Sequence, residues 1–405
     1  MNRIRDEPDH AGVSGHVSRC KRACRRLPVR ETVRSRPMAP PPDDITCRRS
    51  VALAVLTTGI SGKQIPERIT WALVEAASGV PDVAPHFSTA DHEDLRNFAD
   101  AHRVRRLVGR FAPQVTEDPV RLATQSLSIE RRMIETVETL RDASVDVLVL
   151  KGNATAYLDH ADPTDREVSD IDLLVRPDQL AEAMARLASA GARRVVGHPF
   201  SVPWSFHSET FVQPDGTQID LHHRLLQPSR PPVTCWRKPD TFQAAGRRMA
   251  ALPRSWRFAH AVVHQLKDSP PTQRSLTGVL DMVLMWRSGL DLLEVRAAAR
   301  EIGTPELVER GIRRLTDLLG ERAVLPPHGD VRHRGWAERR LAAALDTDRP
   351  TPGYLSLAAN LAVQPARRWP RYMADLLWPT ADYRHGRGIT LSSHARHVLR
   401  EAIGR

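Results

Sequence analysis

Two aspartates separated by one apolar residue carry the most specific chemical signal in this chain. In Ser169-Asp170-Ile171-Asp172-Leu173-Leu174-Val175 the alternation of a strand puts Asp170 and Asp172 on one face and Ile171, Leu173 and Val175 on the other. Side chains two positions apart on a strand stand roughly 6–7 Å from one another, so both carboxylates can converge on one cation or on a pair of metals. A second segment, Thr217-Gln218-Ile219-Asp220-Leu221-His222, places Gln218, Asp220 and His222 on a common face and offers a third carboxylate from a neighbouring strand. Two full charges about 6 Å apart repel by roughly 3 kcal/mol at an effective dielectric of about 20. Three such charges need protons or cations beside them. Mg²⁺ takes oxygen ligands and bridges carboxylates to phosphates, so the pattern points to phosphoryl or nucleotidyl transfer.

That chemistry needs a seat for phosphates. Leu150-Lys151-Gly152-Asn153 reads as a strand–glycine–helix junction, where free backbone N–H groups and the helix dipole favour an anion. Lys151 is either a phosphate ligand or an exposed strand-end lysine. Arg166, four residues before Asp170, either contacts the nucleotide or pairs with Asp170 or Asp172. His222, on the face of Asp220, reads as a hydrogen-bonded structural histidine with an accessory role open to it. His260 and His264 are one helical turn apart, but no adjacent Glu completes an HExxH pattern, so they read as packing. Asp281, on a mostly apolar helix, reads as a cap or salt bridge, with a substrate contact as the alternative.

The elements that must position these groups follow from periodicity. Residues 145–150 form a short β-branched run typical of a buried strand, and 169–175 form the second strand. A helix follows Pro177 and stops at Gly191; strands at 206–212 and 217–221 flank the turn Pro214-Asp215-Gly216. Upstream, Asp91 is a candidate helix cap, and 122–140 is amphipathic, with Leu127, Ile129, Met133, Ile134, Val137 and Leu140 on its apolar side. Downstream, helical periodicity recurs at 255–267, 276–288, 291–302, 305–320 and 335–346. The expected organisation is a flexible basic extension (1–50), an N-terminal helical region (51–144), an α/β core (145–230), a C-terminal helical domain (231–349) and a tail with short helices (350–405). Met38 would serve as a later start that leaves the folded part intact.

Composition narrows the class. The chain has 405 residues, 41% apolar and 26% charged, which excludes wholesale disorder. It holds no run of about 18 uncharged apolar residues and no signal-peptide core, so a cytoplasmic protein without a membrane partner is expected. Residues 1–50 carry 12 Lys/Arg against 6 Asp/Glu, so they supply six of the net +11. The remainder is ordinary, so the basic charge is weak evidence for a nucleic-acid groove. Only five basic residues are lysines, a bias of base composition. Cys20, Cys24, Cys47 and Cys235 lack zinc-site spacing and read as reduced thiols.

Taken in order, Leu150-Lys151-Gly152, then Arg166 through Asp170-Ile171-Asp172-Leu173-Leu174-Val175, then Ile219-Asp220-Leu221-His222 resemble the uncharacterised nucleotidyltransferase family of the DNA polymerase beta-like superfamily. The resemblance spans roughly residues 85–330. It implies a polymerase beta-like α/β (α+β) core with a mixed sheet, flanked by helical regions. It also implies Asp170, Asp172 and Asp220 as catalytic, metal-binding carboxylates, with Gly152 and Asn153 beside the nucleotide phosphates. Where the wider superfamily has Gly-Ser at the turn, Asn153 follows Gly152, and 17 residues separate Gly152 from Asp170. The implied reaction is Mg²⁺- or Mn²⁺-dependent transfer of an NMP from an NTP to a hydroxyl or similar group. The acceptor stays open between a small molecule, a natural-product peptide and a protein. Two other classes remain: a catalytically silent nucleotide-binding regulator, and a protein that binds nucleic acid through its basic arm.

Overall fold

The computed structural model describes residues 92–110, 118–195, 197–267, 276–319, 335–345 and 353–403, with isolated positions outside these ranges. They fall within the unit Arg48–Arg405. The candidate cap Asp91, the basic extension and Cys20, Cys24 and Cys47 lie outside the described residues.

Helices α1 (His92–Ala101), α2 (Arg105–Gly109) and α3 (Pro119–Asp142) lead into strand β1 (Val147–Val149) and helix α4 (Lys151–Leu158). Strand β2 (Ile171–Val175), helix α5 (Leu180–Ser189), β3 (Arg193–Val195), β4 (Ser208–Val212), β5 (Gln218–His222), β6 (Asp240–Ala244) and β7 (Arg247–Ala251) follow. The remaining helices are α6 (Arg254–Lys267), α7 (Leu276–Arg287), α8 (Leu292–Ile302), α9 (Pro305–Leu319), α10 (Trp336–Leu345), α11 (Gly353–Ala362), α12 (Trp369–Leu377), α13 (Ala381–Arg387) and α14 (Leu391–Ile403). The architecture is α+β: a mixed seven-stranded sheet, ordered β3-β4-β5-β2-β1-β7-β6, between helical regions. β2 runs parallel to β5 and β1 to β7; the other pairs are antiparallel.

Strand alternation divides the sheet's two faces between two cores. Ile171, Leu173, Val175, Ile219 and Leu221 pack with α3 and α5. Leu148, Leu150 and Leu174 point the other way, into the core built by α6, α7 and α8. On that second face, where neighbours in the strands are apolar, any acidic side chain is forced to find a partner.

Local signals explain the ends of several elements. Asp118 caps α3, its Oδ1 accepting the Arg121 N–H at 2.7 Å, with Pro119 in the first turn. The chain after α5 turns at Gly191, φ +89°, and the β4–β5 hairpin turns at Gly216, φ +89°, both conformations that favour glycine. Ile129, Met133, Val137 and Leu140 are buried along α3, whereas Leu127 is 65% exposed. It lies two residues from Ile129, about 200° around the helix, so it cannot share that stripe.

The sheet also reaches further than the expected boundary at residue 230. β6 and β7, Asp-Thr-Phe-Gln-Ala and Arg-Arg-Met-Ala-Ala, add two strands whose buried residues (Phe242, Ala244, Met249, Ala251) are mostly small or unbranched. β3 is three residues long and largely exposed. None of these carries a β-branched run, and it is pairing with neighbours that makes them strands. The downstream helices α6 to α10 fall on the expected segments. Cys235 is buried as a free thiol, and burial pushes its pKa up to about 12, so it is inert at neutral pH.

Candidate active site

The parallel pairing of β2 with β5 sets Asp172 directly opposite Asp220. Asp172 is buried, and its Oδ1 accepts from Lys151 Nζ at 2.7 Å and from His222 Nε2 at 3.0 Å. Asp220 is half-buried, and its Oδ1 accepts from Thr210 Oγ1 at 2.7 Å and Gln218 Nε2 at 3.2 Å. Ligand atoms of Asp172, Asp220 and His222 all lie within 4.8 Å of one another. Asp170 sits one residue ahead of β2, outside that trio, with its Oδ1 accepting from Ser169 Oγ at 3.1 Å.

The charges are interlocked. Burial works against the ionised form of Asp172, but Lys151 and His222 outweigh it and hold the carboxyl well below the usual range. Burial likewise opposes the charge of Lys151, and Asp172, with Asp170 and Asp220 behind it, raises the ammonium's pKa all the same. Asp170 is raised, first by burial and then by the negative charge of Asp172.

Lys151 reaches Asp172 from a left-handed backbone conformation, φ +45°, at the first residue of α4. For a residue with a Cβ that conformation costs roughly 1 kcal/mol or more. The turn is tied to β2 by the Leu150 N–H, which donates to the Asp172 carbonyl at 2.9 Å. Leu150, the residue at the N-cap of α4, makes no side-chain cap hydrogen bond, so the first-turn N–H groups of the helix lack that partner. Asn153 is buried there, and its Nδ2 donates to the Asp170 carbonyl at 2.7 Å, fixing the entry to β2.

Arg166 lies against Gly152: a Cβ on that glycine would stand 3.1 Å from Nη2. The guanidinium's ionic partner is Asp281 on α7, not Asp170 or Asp172. Nε sits 3.0 Å from Oδ1 and Nη2 2.9 Å from Oδ2. His160 Nε2 adds a contact of 2.9 Å to Asp281 Oδ1. Burial opposes the charge on Asp281, but Arg166 and His160 outweigh it and lower its pKa. The phosphate-side turn is therefore bolted to the helical region through one buried carboxylate. A lone charge in an apolar helix was the only sign of Asp281; His160 carried none. His260 and His264 stand outside the acidic trio, with ring centroids 6.0 Å apart and planes nearly perpendicular.

Two carboxylates and an imidazole at these distances could hold a divalent cation. The donor set fits: oxygen ligands suit Mg²⁺ or Mn²⁺, and His222 Nδ1 is buried without a hydrogen-bond partner among the described residues. Helices in the described residues are all too short or too polar to cross a membrane.

Over residues 89–320, a span that includes all of these groups, the chain matches the family described as uncharacterised nucleotidyltransferase, and it belongs to that family. It is an enzyme of the nucleotidyltransferase class, and nucleotidyl transfer is its function. Among solved structures it is similar to an antigenic nucleotidyltransferase-like protein from Paracoccidioides brasiliensis, at 15% identity over 48% of this chain and 89% of that one, with a TM-score of 0.33. It is also similar to the antibiotic-resistance factor ANT(2'')-Ia, at 13% identity over 44% and 91% of the two chains, with a TM-score of 0.32. No curated relative matches the chain.

Proposed function

We propose that the protein moves a nucleoside monophosphate from an NTP to a hydroxyl or similar group of an acceptor, with a divalent cation, Mg²⁺ or Mn²⁺, at Asp172 and Asp220. The observation that carries the reading is the register of β2 on β5, which sets these two carboxylates side by side next to an uncapped helix N-terminus. The cation, when bound, supplies neutralisation of phosphate charge and activation of the attacking oxygen. Asp172 and Asp220 provide its oxygen ligands, and His222 holds Asp172 in orientation through Nε2. Asp220, steadied by Thr210 and Gln218, also receives or orients the proton of the attacking hydroxyl. Asp170 adds a third acidic group, its pKa raised first by burial and then by the charge of Asp172.

On the other side, the first-turn N–H groups of α4 at Gly152 and Asn153 receive the phosphates. Lys151 neutralises Asp172 before the substrate arrives and stands within reach of the same phosphates. Arg166 backs Gly152 with positive charge. Incubation with each α-labelled NTP, Mg²⁺ and cell extract tests this. Label should move to an acceptor with the wild type and not with Asp172→Asn or Asp220→Asn; equal transfer by all three would refute the assignment.

A further inference from the structure

The C-terminal helices leave an apolar groove open at the surface. It lies between the end of α12 and the start of α14, has a volume of about 570 Å³, and is lined by Leu377, Trp378, Thr390, Leu391, Ser392 and Ala395. Trp378 is 66% exposed, although burying an indole is among the larger apolar gains open to a fold. Leu391, Ala395 and Leu399 recur at a spacing of four and so form one stripe of α14, and Leu399 is 60% exposed. The stripe prolongs the groove by roughly two helical turns, about 12 Å.

The groove is held in place from behind. His394, next to Ala395 on α14, is buried, and its Nε2 lies 2.8 Å from the Leu376 carbonyl oxygen of α12. Asp375 of α12 accepts the Ser201 N–H at 3.1 Å, and the Thr380 N–H donates to the Pro199 carbonyl at 3.1 Å. Both contacts reach the segment between β3 and β4, and β4 pairs with β5, the strand of Asp220. A partner seated in the groove would thus be anchored to the sheet that carries the site.

Charge beside the groove selects the partner. Arg396 and Arg400 follow Ala395 and Leu399 by one residue, about 100° around the helix, so they edge the apolar stripe. Both are exposed, and neither has a carboxylate partner among the described residues. From Arg367 to Arg405 the chain has eight arginines against Asp375, Asp382 and Glu401. Of these acids, Asp375 is taken by Ser201 and Arg371. Two copies of the chain meeting on this face would set one row of arginines against the other. An anionic bilayer would match the charge, but its flat surface would leave the groove unfilled. A helix fills such a groove with side chains from successive turns.

We propose that this groove docks an amphipathic helix of another protein, acidic on its polar side. The partner's apolar residues seat against Trp378, Leu391, Ala395 and Leu399, and its carboxylates meet Arg396 and Arg400. None of these residues belongs to the acidic trio or to the phosphate turn, so docking and chemistry are separable.

Fluorescence anisotropy on the full chain provides the test, with a labelled helical peptide of Leu and Glu whose leucines recur at spacings of three and four. The wild type should bind it saturably, and less tightly as salt rises. Trp378→Ala, and the double variant Arg396→Glu with Arg400→Glu, should each weaken binding about tenfold or more. Leu293→Ser, at a leucine 71% exposed on α8, should leave binding unchanged. All of these side chains are exposed, and circular dichroism checks that each variant is folded. A peptide of the same composition with its leucines scattered around the helix should bind about tenfold more weakly, as should a Leu and Lys counterpart. No binding of the Leu and Glu peptide, equal binding by Trp378→Ala, or equal binding of the Leu and Lys peptide overturns the proposal. Two further results overturn it by naming another occupant. One is a dimer in sedimentation that Leu399→Ser dissolves; the other is binding to phosphatidylcholine–phosphatidylglycerol vesicles that Trp378→Ala abolishes.

Discussion

Lys151 Nζ stands 2.7 Å from Asp172 Oδ1, on the same oxygen that receives His222 Nε2 at 3.0 Å. Lysine thus occupies, before any substrate is bound, a position against Asp172 that a divalent cation would contest. The backbone strain at Lys151, φ +45°, is the cost of holding it there.

Replacing Lys151 by Met should therefore separate two effects. Without metal, Asp172 loses its main counter-charge in a buried setting, and the protein should be destabilised by about 3 kcal/mol. With metal, the cation no longer competes with an ammonium. Millimolar Mn²⁺ should raise the melting temperature of Lys151→Met more than that of wild type, while nucleotide transfer falls by about 100-fold or more. Equal metal-induced shifts in the two proteins would show that lysine and metal do not share Asp172.

Gly152→Ala tests the contact beneath the phosphate turn. The new methyl would meet the Arg166 guanidinium at 3.1–3.3 Å, tighter than ordinary packing. Arg166 cannot easily retreat, because Asp281 grips it through Nε and Nη2. The variant should fold, lose about 1 kcal/mol by denaturant titration, and show a raised KM for NTP. An unchanged KM would separate Gly152 from the phosphates.

How much of this was legible in the sequence depends on range. The common face of Asp220 and His222, and the burial of Ile171 and Leu173, follow from a period of two residues and needed no tertiary information. The partner of Arg166 was not legible, because Asp281 lies 115 positions away on a helix whose apolar neighbours gave it only a generic role. His260 Nε2, buried without a hydrogen-bond partner among the described residues, was equally silent, since a histidine at helical spacing looks the same whether its ring is satisfied or not. β6 and β7 escaped because alanine, methionine and arginine carry little strand preference, and the neighbouring strand supplied what the residues lacked. Leu127 shows the converse limit: an apolar residue in an amphipathic run was assigned to the buried stripe, although the helical angle puts it outside.

Asp281→Asn should be more damaging than its distance from the acidic trio implies. It removes the charge that Arg166 and His160 share in a buried setting and leaves a guanidinium without its ionic partner. A loss of about 3–5 kcal/mol is expected in urea or guanidinium titration. A double variant, Asp281→Asn with Arg166→Met, removes both charges and should recover part of it. Additive losses would mean that the pair is not a unit.

A second carboxylate gives a pH signature remote from the site. Glu338 on α10 accepts the backbone N–H groups of Glu306 and Leu307, at 2.8 Å and 3.2 Å, at the start of α9. Burial raises its pKa from 4.5 to about 7; the two N–H groups oppose the shift, and the charge of Glu306 adds to it. The folded state thus holds this proton more tightly than the unfolded chain does. Its contribution to stability is complete below about pH 4.5, declines as pH rises, and is gone above about pH 7. Half-buried His207 and buried His223 and His260 have lowered pKa values and act in the opposite sense as pH falls below about 6.5. The test is consequently a difference. Glu338→Gln, neutral at all these pH values, should lose the Glu338 component, so the melting temperature of wild type minus that of the variant should fall between pH 4.5 and 7. A difference that stays flat across that window would mean that Glu338 is already ionised in the folded protein.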